Sequence, residues 1–254
     1  MYLLLDIGNT HTHVGLANDR GVIRHADFRT EAWPSGANAR AIARWIGRAK
    51  LEGAAFCCVV PRATPFARRF LGTRLRLAPL QLTPETITGV GIDFPQPGTI
   101  GQDRLANAVA AKHRYGVPCV VVDFGTAVNF DIVDRAGNYI GGVLAPSVTA
   151  LTDYLHEKTA LLPRVTIREV EPYIGRSTEE AMVIGAVHGF RGLIRELLRG
   201  IKMEMKARRL PVIATGGYAK LIAGKMPEIT AVDPLLTLDG LRINFFLSGP
   251  RRHP

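Results

Sequence analysis

Asp6, Asp103, Arg104, Asp123 and Thr126 are the residues whose types and surroundings could do chemistry. Asp6 ends the apolar run Leu3-Leu4-Leu5 and is followed by Gly8, Asn9 and Thr10. A carboxylate at the end of a buried strand is costly unless it meets a metal, a donor or a ligand. Gly8 lets the backbone turn sharply and brings amides close to whatever sits there. The amide of Asn9 and the hydroxyl of Thr10 suit phosphate oxygens. Val120-Val121-Val122 runs in the same way into Asp123-Phe124-Gly125-Thr126-Ala127. Asp103-Arg104 stands between a loop rich in Gly and Pro (residues 88–101) and the helical stretch Leu105–His113. Phosphoryl transfer needs a nucleotide cradle, a cation, a base near the attacking hydroxyl and positive charge near the transferred group. Asp103 is a candidate base, and Arg104 a candidate holder of an anionic substrate. An Asp at a helix start also serves the helix dipole alone, and that reading stays open at this point.

Positioning these groups requires strands that end at the two Asp turns and a helix that starts at Asp103. The strand–Asp-x-Gly–strand phrase occurs near the start of each half, and Asn18-Asp19-Arg20-Gly21 is echoed by Asp134-Arg135-Ala136-Gly137. This suggests a duplicated α/β unit, with lobes at residues 1–117 and 118–254 and two acidic turns framing a cleft between them. Alternation and apolar spacing predict a strand over Val22–Arg29, a helix over Ala37–Arg48 and a buried strand over Ala54–Val60. A short basic helix over Pro65–Leu71 and an irregular strand over Leu75–Leu82 follow. In the second half the pattern predicts a strand over Tyr139–Leu144, a helix from Val148 to Leu162 and a strand over Pro163–Val170. A long helix after Ser177-Thr178 and a strand over Pro211–Ala214 come next. That strand feeds the turn Thr215-Gly216-Gly217, which either admits part of a nucleotide or serves close packing. A helix from Ala219, a short C-terminal helix and a basic tail complete the chain.

The 254 residues, 47% hydrophobic and 21% charged, describe a folded chain, with no apolar run long enough to span a membrane. No basic leader precedes Asp6, so no signal peptide is expected. Cys57, Cys58 and Cys119 have neither disulfide nor metal-ligand spacing and read as reduced core thiols of a cytoplasmic protein. The net charge of +10 reads as solvated helix faces. Aromatic residues are not interleaved with it, which argues against a nucleic-acid partner. No P-loop, GxSxG, HExxH or complete GxGxxG is present. Asp123-Phe124-Gly125 spells a protein-kinase triplet without the rest of that signature.

Four motifs occur together in order: Asp6-Ile7-Gly8-Asn9-Thr10, Gly101-Gln102-Asp103-Arg104, Asp123-Phe124-Gly125-Thr126 and Thr215-Gly216-Gly217. With Ile174-Gly175-Arg176-Ser177-Thr178 and the closing Asp233–Leu241, the chain resembles type III pantothenate kinase over nearly its whole length. The resemblance implies the actin/sugar-kinase superfamily, hence duplicated ribonuclease-H-like α/β domains, and a homodimer. It implies ATP-dependent phosphorylation of pantothenate to 4'-phosphopantothenate, the first step of coenzyme A biosynthesis. It also implies Mg2+ with ATP, and a monovalent cation, K+ or NH4+, held by Asp123. Asp103 would be the proton acceptor. Phe94, Gly101, Gln102, Asp103, Arg104 and Thr178 would line the pantothenate site. Asp6, Ile7, Gly8, Asn9, Thr10, His11, Thr12 and His13 would form the first ATP phosphate segment, with Thr126 in the second. Phe94 stands where the family usually has tyrosine, and Val128 where it usually has threonine. Two other readings are a non-enzymatic accessory transcription factor of the same family and a superfamily kinase or phosphatase acting on another substrate.

Overall fold

The computed structural model describes residues 1–249, so the basic tail at Arg251-Arg252 lies outside the described residues. Two compact units are present. The first comprises Met1–Val117, Asp131–Gly141 and the C-terminal stretch from Leu235; the second comprises Pro118–Phe130 and Gly142–Pro234.

In the first unit, β1 (Tyr2–Ile7), β2 (His11–Ala17) and β3 (Val22–Arg29) form an antiparallel meander. β4 (Gly53–Cys58) then adds in parallel to β1, and β5 (Pro79–Gln81) in parallel to β4. The order is β3-β2-β1-β4-β5. Alternation along β1 divides its side chains. Leu3, Leu5 and Ile7 enter a core with Trp33, Phe56, Phe70 and Ile42 of α1 (Ala37–Ile46). On the opposite face, α3 (Gln102–Tyr115) and α7 (Leu236–Leu247) pack on β1 and β4. Gly240 permits the closest helix approach, because a Cβ there would land on the Ala106 carbonyl. Asp239, buried on α7, takes Arg114 of α3 and Arg242, and Arg242 also donates to the Asp19 carbonyl in the β2–β3 turn.

The remaining strands are β6 (Gly91–Ile92), β7 (Cys119–Phe124), β8 (Ala127–Val133), β9 (Asn138–Pro146), β10 (Val212–Thr215) and β11 (Ala231–Val232). Their order, β11-β10-β7-β8-β9-β6, repeats the first sheet's β5-β4-β1-β2-β3 with β6 added at one edge. β10 runs parallel to β7, and β11 parallel to β10. This is the duplicated ribonuclease-H-like pattern. The helices of the second unit are α4 (Val148–Lys158), α5 (Thr178–Glu204) and α6 (Ala219–Ala223). α5 opens with a reciprocal cap: Ser177 Oγ accepts from Glu180 N at 3.1 Å, and Arg176 N donates to Glu180 Oε2 at 2.6 Å.

Three elements differ from the sequence reading. Residues 163–170 form no strand. Their alternating Val165 and Ile167, with Val170, pack on Val183, Ile184 and Val187 of α5 instead of joining a sheet. Arg191 of α5 is buried there, donating to both oxygens of Glu169 at 2.9 and 2.6 Å, and these bonds hold Glu169 down at about 2. The expected strand at 75–82 shrinks to Pro79–Gln81, because Leu75 N and Leu77 N donate back to Phe70 and Leu71 around a π-helical turn at Phe70–Arg74. The helix expected to reach Leu162 stops at Lys158. All three cysteines are buried and free. Among the described residues no helix is long and apolar enough to cross a membrane.

Gly240→Ala is expected to lower stability by about 1–3 kcal/mol, because the added methyl meets backbone that cannot yield. A thermal midpoint equal to the parent's would contradict that packing.

Candidate functional site

In the first unit the chemistry collects on the β1/β4 face that α3 covers. Asp6 is paired directly with Cys57 in the parallel register and with His13 in the antiparallel one. It is 8% exposed. The Cys57 thiol donates to Asp6 Oδ1 at 3.2 Å, and among the described residues it is the only hydrogen-bond donor to that carboxylate. Burial raises Asp6 to about 6. His13 opposes the rise, and the carboxylate of Asp103 adds to it. Burial also pushes the Cys57 thiol well up, so it stays a donor.

The turn after Asp6 is closed by Gly8 N donating to the His11 carbonyl at 3.0 Å. Asn9 and Thr10 are exposed at its tip. The tip is braced from below: Thr30 N donates to the Thr10 carbonyl at 3.1 Å, and Thr30 Oγ1 to the Gly8 carbonyl at 2.7 Å. Ile7 and Thr12 are fully buried. Thr12 Oγ1 bonds Thr30 Oγ1 and accepts from Trp33 Nε1, both at 3.0 Å, so its hydroxyl serves the core. Within the expected phosphate segment, Gly8, Asn9, Thr10 and His11 are thus the residues offered outward, and His13 is exposed with Nδ1 2.7 Å from Asp27.

Gly101-Gln102-Asp103-Arg104 forms the first turn of α3. Gly101 offers no side-chain cap, and a Cβ on it would lie 2.6 Å from Asp103 Oδ1. Asp103 Oδ1 accepts from Arg104 N at 2.8 Å, and burial raises its pKa. Arg104 Nε donates to Asp131 Oδ1 at 2.6 Å, and Asp131 is wholly buried. The guanidinium also lies 5.7 Å from the centre of the Tyr139 ring. Phe94 meets Tyr139 edge-on at 6.1 Å, and a Cβ on Gly141 would touch the Phe94 ring at 3.5 Å. The structure therefore brings Phe94 to the same aromatic surface as Arg104. Asp131 and Tyr139 escape a motif-based reading. The available signal was a charge inside the apolar run Phe130-Asp131-Ile132-Val133.

In the second unit, Asp123 is the penultimate residue of β7, with Thr215 beside it in register. Gly216 (φ +90°) packs so close that a Cβ would lie 2.6 Å from Asp123 Oδ1 and 2.7 Å from the Phe124 carbonyl. Close packing thus accounts for this glycine. Gly125 and Thr126 are exposed at the turn, and Val128 is buried completely. Thr178, the first residue of α5, is exposed and lines an apolar cavity of about 770 Å³ with Leu151, Tyr154 and Leu155 of α4 and Met182 of α5.

Two β-meander sheets with the same strand order place the chain in the fold class of the actin-like sugar kinases. A Listeria monocytogenes protein described as an N-acetylmannosamine kinase superimposes with a TM-score of 0.58 at 12% identity, over 96% of this chain and 98% of that one, which shows the fold alone. The family model for type III pantothenate kinase matches residues 2–200. The type III pantothenate kinase of Methylacidiphilum infernorum is 42% identical over 95% of this chain and 86% of its own. That of Akkermansia muciniphila is 42% identical over 95% of this chain and 97% of its own. The chain belongs to the type III pantothenate kinase family.

The raised pKa of Asp6 gives a signed prediction. Its contribution to stability is fully present below about pH 4 and is lost as pH rises through about 6, because folding disfavours the ionised carboxylate. Without ligand at pH 7.5, Asp6→Asn is therefore expected to be more stable than the parent by about 3 kcal/mol, with the difference vanishing near pH 4. Thermal midpoints of both proteins across that range read it directly.

Proposed function

We propose that the protein phosphorylates pantothenate at its primary hydroxyl at the expense of ATP, giving 4'-phosphopantothenate for coenzyme A synthesis. The observation that carries this reading is the Asp103 carboxylate, half-buried at the start of α3 and raised in pKa by desolvation, beside an Arg104 held in place by Asp131. A carboxylate made more basic by burial is suited to accept the hydroxyl proton as the oxygen attacks the terminal phosphorus. Arg104 supplies the positive charge for the pantothenate carboxylate, and Phe94, Gly101 and Gln102 line the same end of α3. Thr178 contributes from the start of α5.

The turn from Asp6 to His13 receives ATP phosphates through its exposed tip, and Thr126 offers a further hydroxyl to them. A buried carboxylate with a single thiol donor is under-compensated, so Asp6 fits a hard divalent cation. Mg2+ bound with ATP would neutralise phosphate charge there. Asp123 is the residue proposed for a monovalent cation, K+ or NH4+. The repeated halves at 1–117 and 118–254 are proposed as the duplicated lobes, and the free buried thiols suit a cytoplasmic setting. The apolar cavity between α4 and α5, with Tyr154 exposed beside it, supports a homodimer through that face.

ADP release should require pantothenate and Mg–ATP, run faster in potassium than in sodium, and fall at least about 10³-fold in Asp103→Asn. A folded protein without pantothenate-dependent release would overturn the reading. Leu155→Asp should convert a dimer to a monomer in sedimentation; an unchanged mass would place the interface elsewhere.

A further inference from the structure

The start of α3 is tied to the sheet by a chain of side-chain amides that no motif describes. Gln102 Oε1 accepts from Cys58 N at 2.9 Å and from Gln81 Nε2 at 3.2 Å. Gln81 Oε1 in turn accepts from Arg68 Nε at 3.0 Å. Both ends are obligate donors, a backbone N–H and a guanidinium. The orientation of each amide is therefore dictated: oxygen toward Arg68 and nitrogen toward Gln102 in Gln81, oxygen toward Cys58 in Gln102. Three elements meet in this chain: α2 (Thr64–Arg69), the edge strand β5 and the end of β4. Cys58 follows Cys57, the donor to Asp6, and Gln102 precedes Asp103.

We infer that Gln81 is a positioning residue: its Nε2 donor, oriented by Arg68, locks the Gln102 amide onto Cys58 N and so sets where the first turn of α3, with Asp103, stands relative to the end of β4. This rests on the reading of Asp103 as the base. The geometry makes the link consequential. Gly101 provides no cap, and Gln102 is the side chain that bonds that turn to β4. Displacing a catalytic group by about 1 Å costs up to roughly 10²-fold in rate. Arg68 and Gln81 also line an open cavity of about 570 Å³ rather than the packed core, so their substitution leaves the core intact.

Two variants separate the roles. Gln81→Glu keeps the acceptor for Arg68 but sets an oxygen against Gln102 Oε1. Gln81→Lys keeps a donor toward Gln102 but repels Arg68. The inference expects kcat to fall about tenfold in Gln81→Glu, with the KM for ATP within about twofold of the parent, and Gln81→Lys to lie nearer the parent. If Gln81 serves only to tether Arg68, the order reverses, and the inference fails. Amide hydrogen exchange over Gln102–Leu105 gives a readout that does not depend on turnover. Exchange should be faster in Gln81→Glu than in Gln81→Lys or the parent, and equal exchange in all three would overturn the inference. A parent that shows this exchange pattern but no pantothenate-dependent turnover would refute the kinase reading and leave the positioning role standing.

Discussion

The first unit depends on a charge in the wrong place. Asp6 is carried into the sheet by three leucines that must be buried, and the parallel register of β1 and β4 sets it beside Cys57. A thiol is a weak donor, so the carboxylate is only partly compensated. Nothing in packing requires this arrangement; an asparagine or a valine would fold more comfortably at the same position. The surrounding structure is what makes it tolerable. Thr30 braces the turn that follows, Trp33 fastens Thr12 behind it, and α3 closes the face on which the carboxylate lies. Instability concentrated at one strand end, with rigid support around it, is the pattern of a site kept for chemistry.

The same tension recurs at the start of α3. A helix N-terminus favours a nearby anion, yet burial raises the pKa of Asp103, and its charge in turn raises that of Asp6. Gly101 admits the carboxylate, Gln102 holds the turn to β4, and Arg104 is drawn to Asp131. Each of four consecutive residues does a different job. The spacing of this segment is thus as restrictive as its composition.

Much of this was legible in the residues. Val22–Arg29 alternates and is a strand with those bounds; the helix at Ala37 follows from periodicity, and the long helix after Ser177 from the acidic residues of its first turn. The Asp turns and the Gly101–Arg104 segment were visible because each sets a charge against an apolar run. What stayed hidden depended on partners distant in sequence. Residues 163–170 alternate like a strand, but the surface available to them is α5, and Arg191 holds them there through Glu169. Asp131 carries no local motif; its meaning comes from Arg104, which β8 and α3 bring together only in three dimensions. The resemblance included Thr12 in the phosphate segment, and alternation along β2 turns its side chain inward to Trp33.

The repetition of the sheet bears on how the two Asp turns differ. β1 and β7 occupy equivalent places in their sheets, and both run from apolar residues into Asp. Their surroundings then diverge. Asp6 meets a thiol from the adjacent strand, whereas Asp123 meets the backbone turn of Gly216, whose positive φ no other residue adopts cheaply. Asp6 is 8% exposed whereas Asp123 is only half-buried, so the two carboxylates differ in solvation as well as in neighbours. Equivalent positions in a duplicated fold can thus be specialised by one neighbouring strand residue, Cys57 in one half and the Thr215-Gly216 turn in the other, while the strand that carries the carboxylate stays the same.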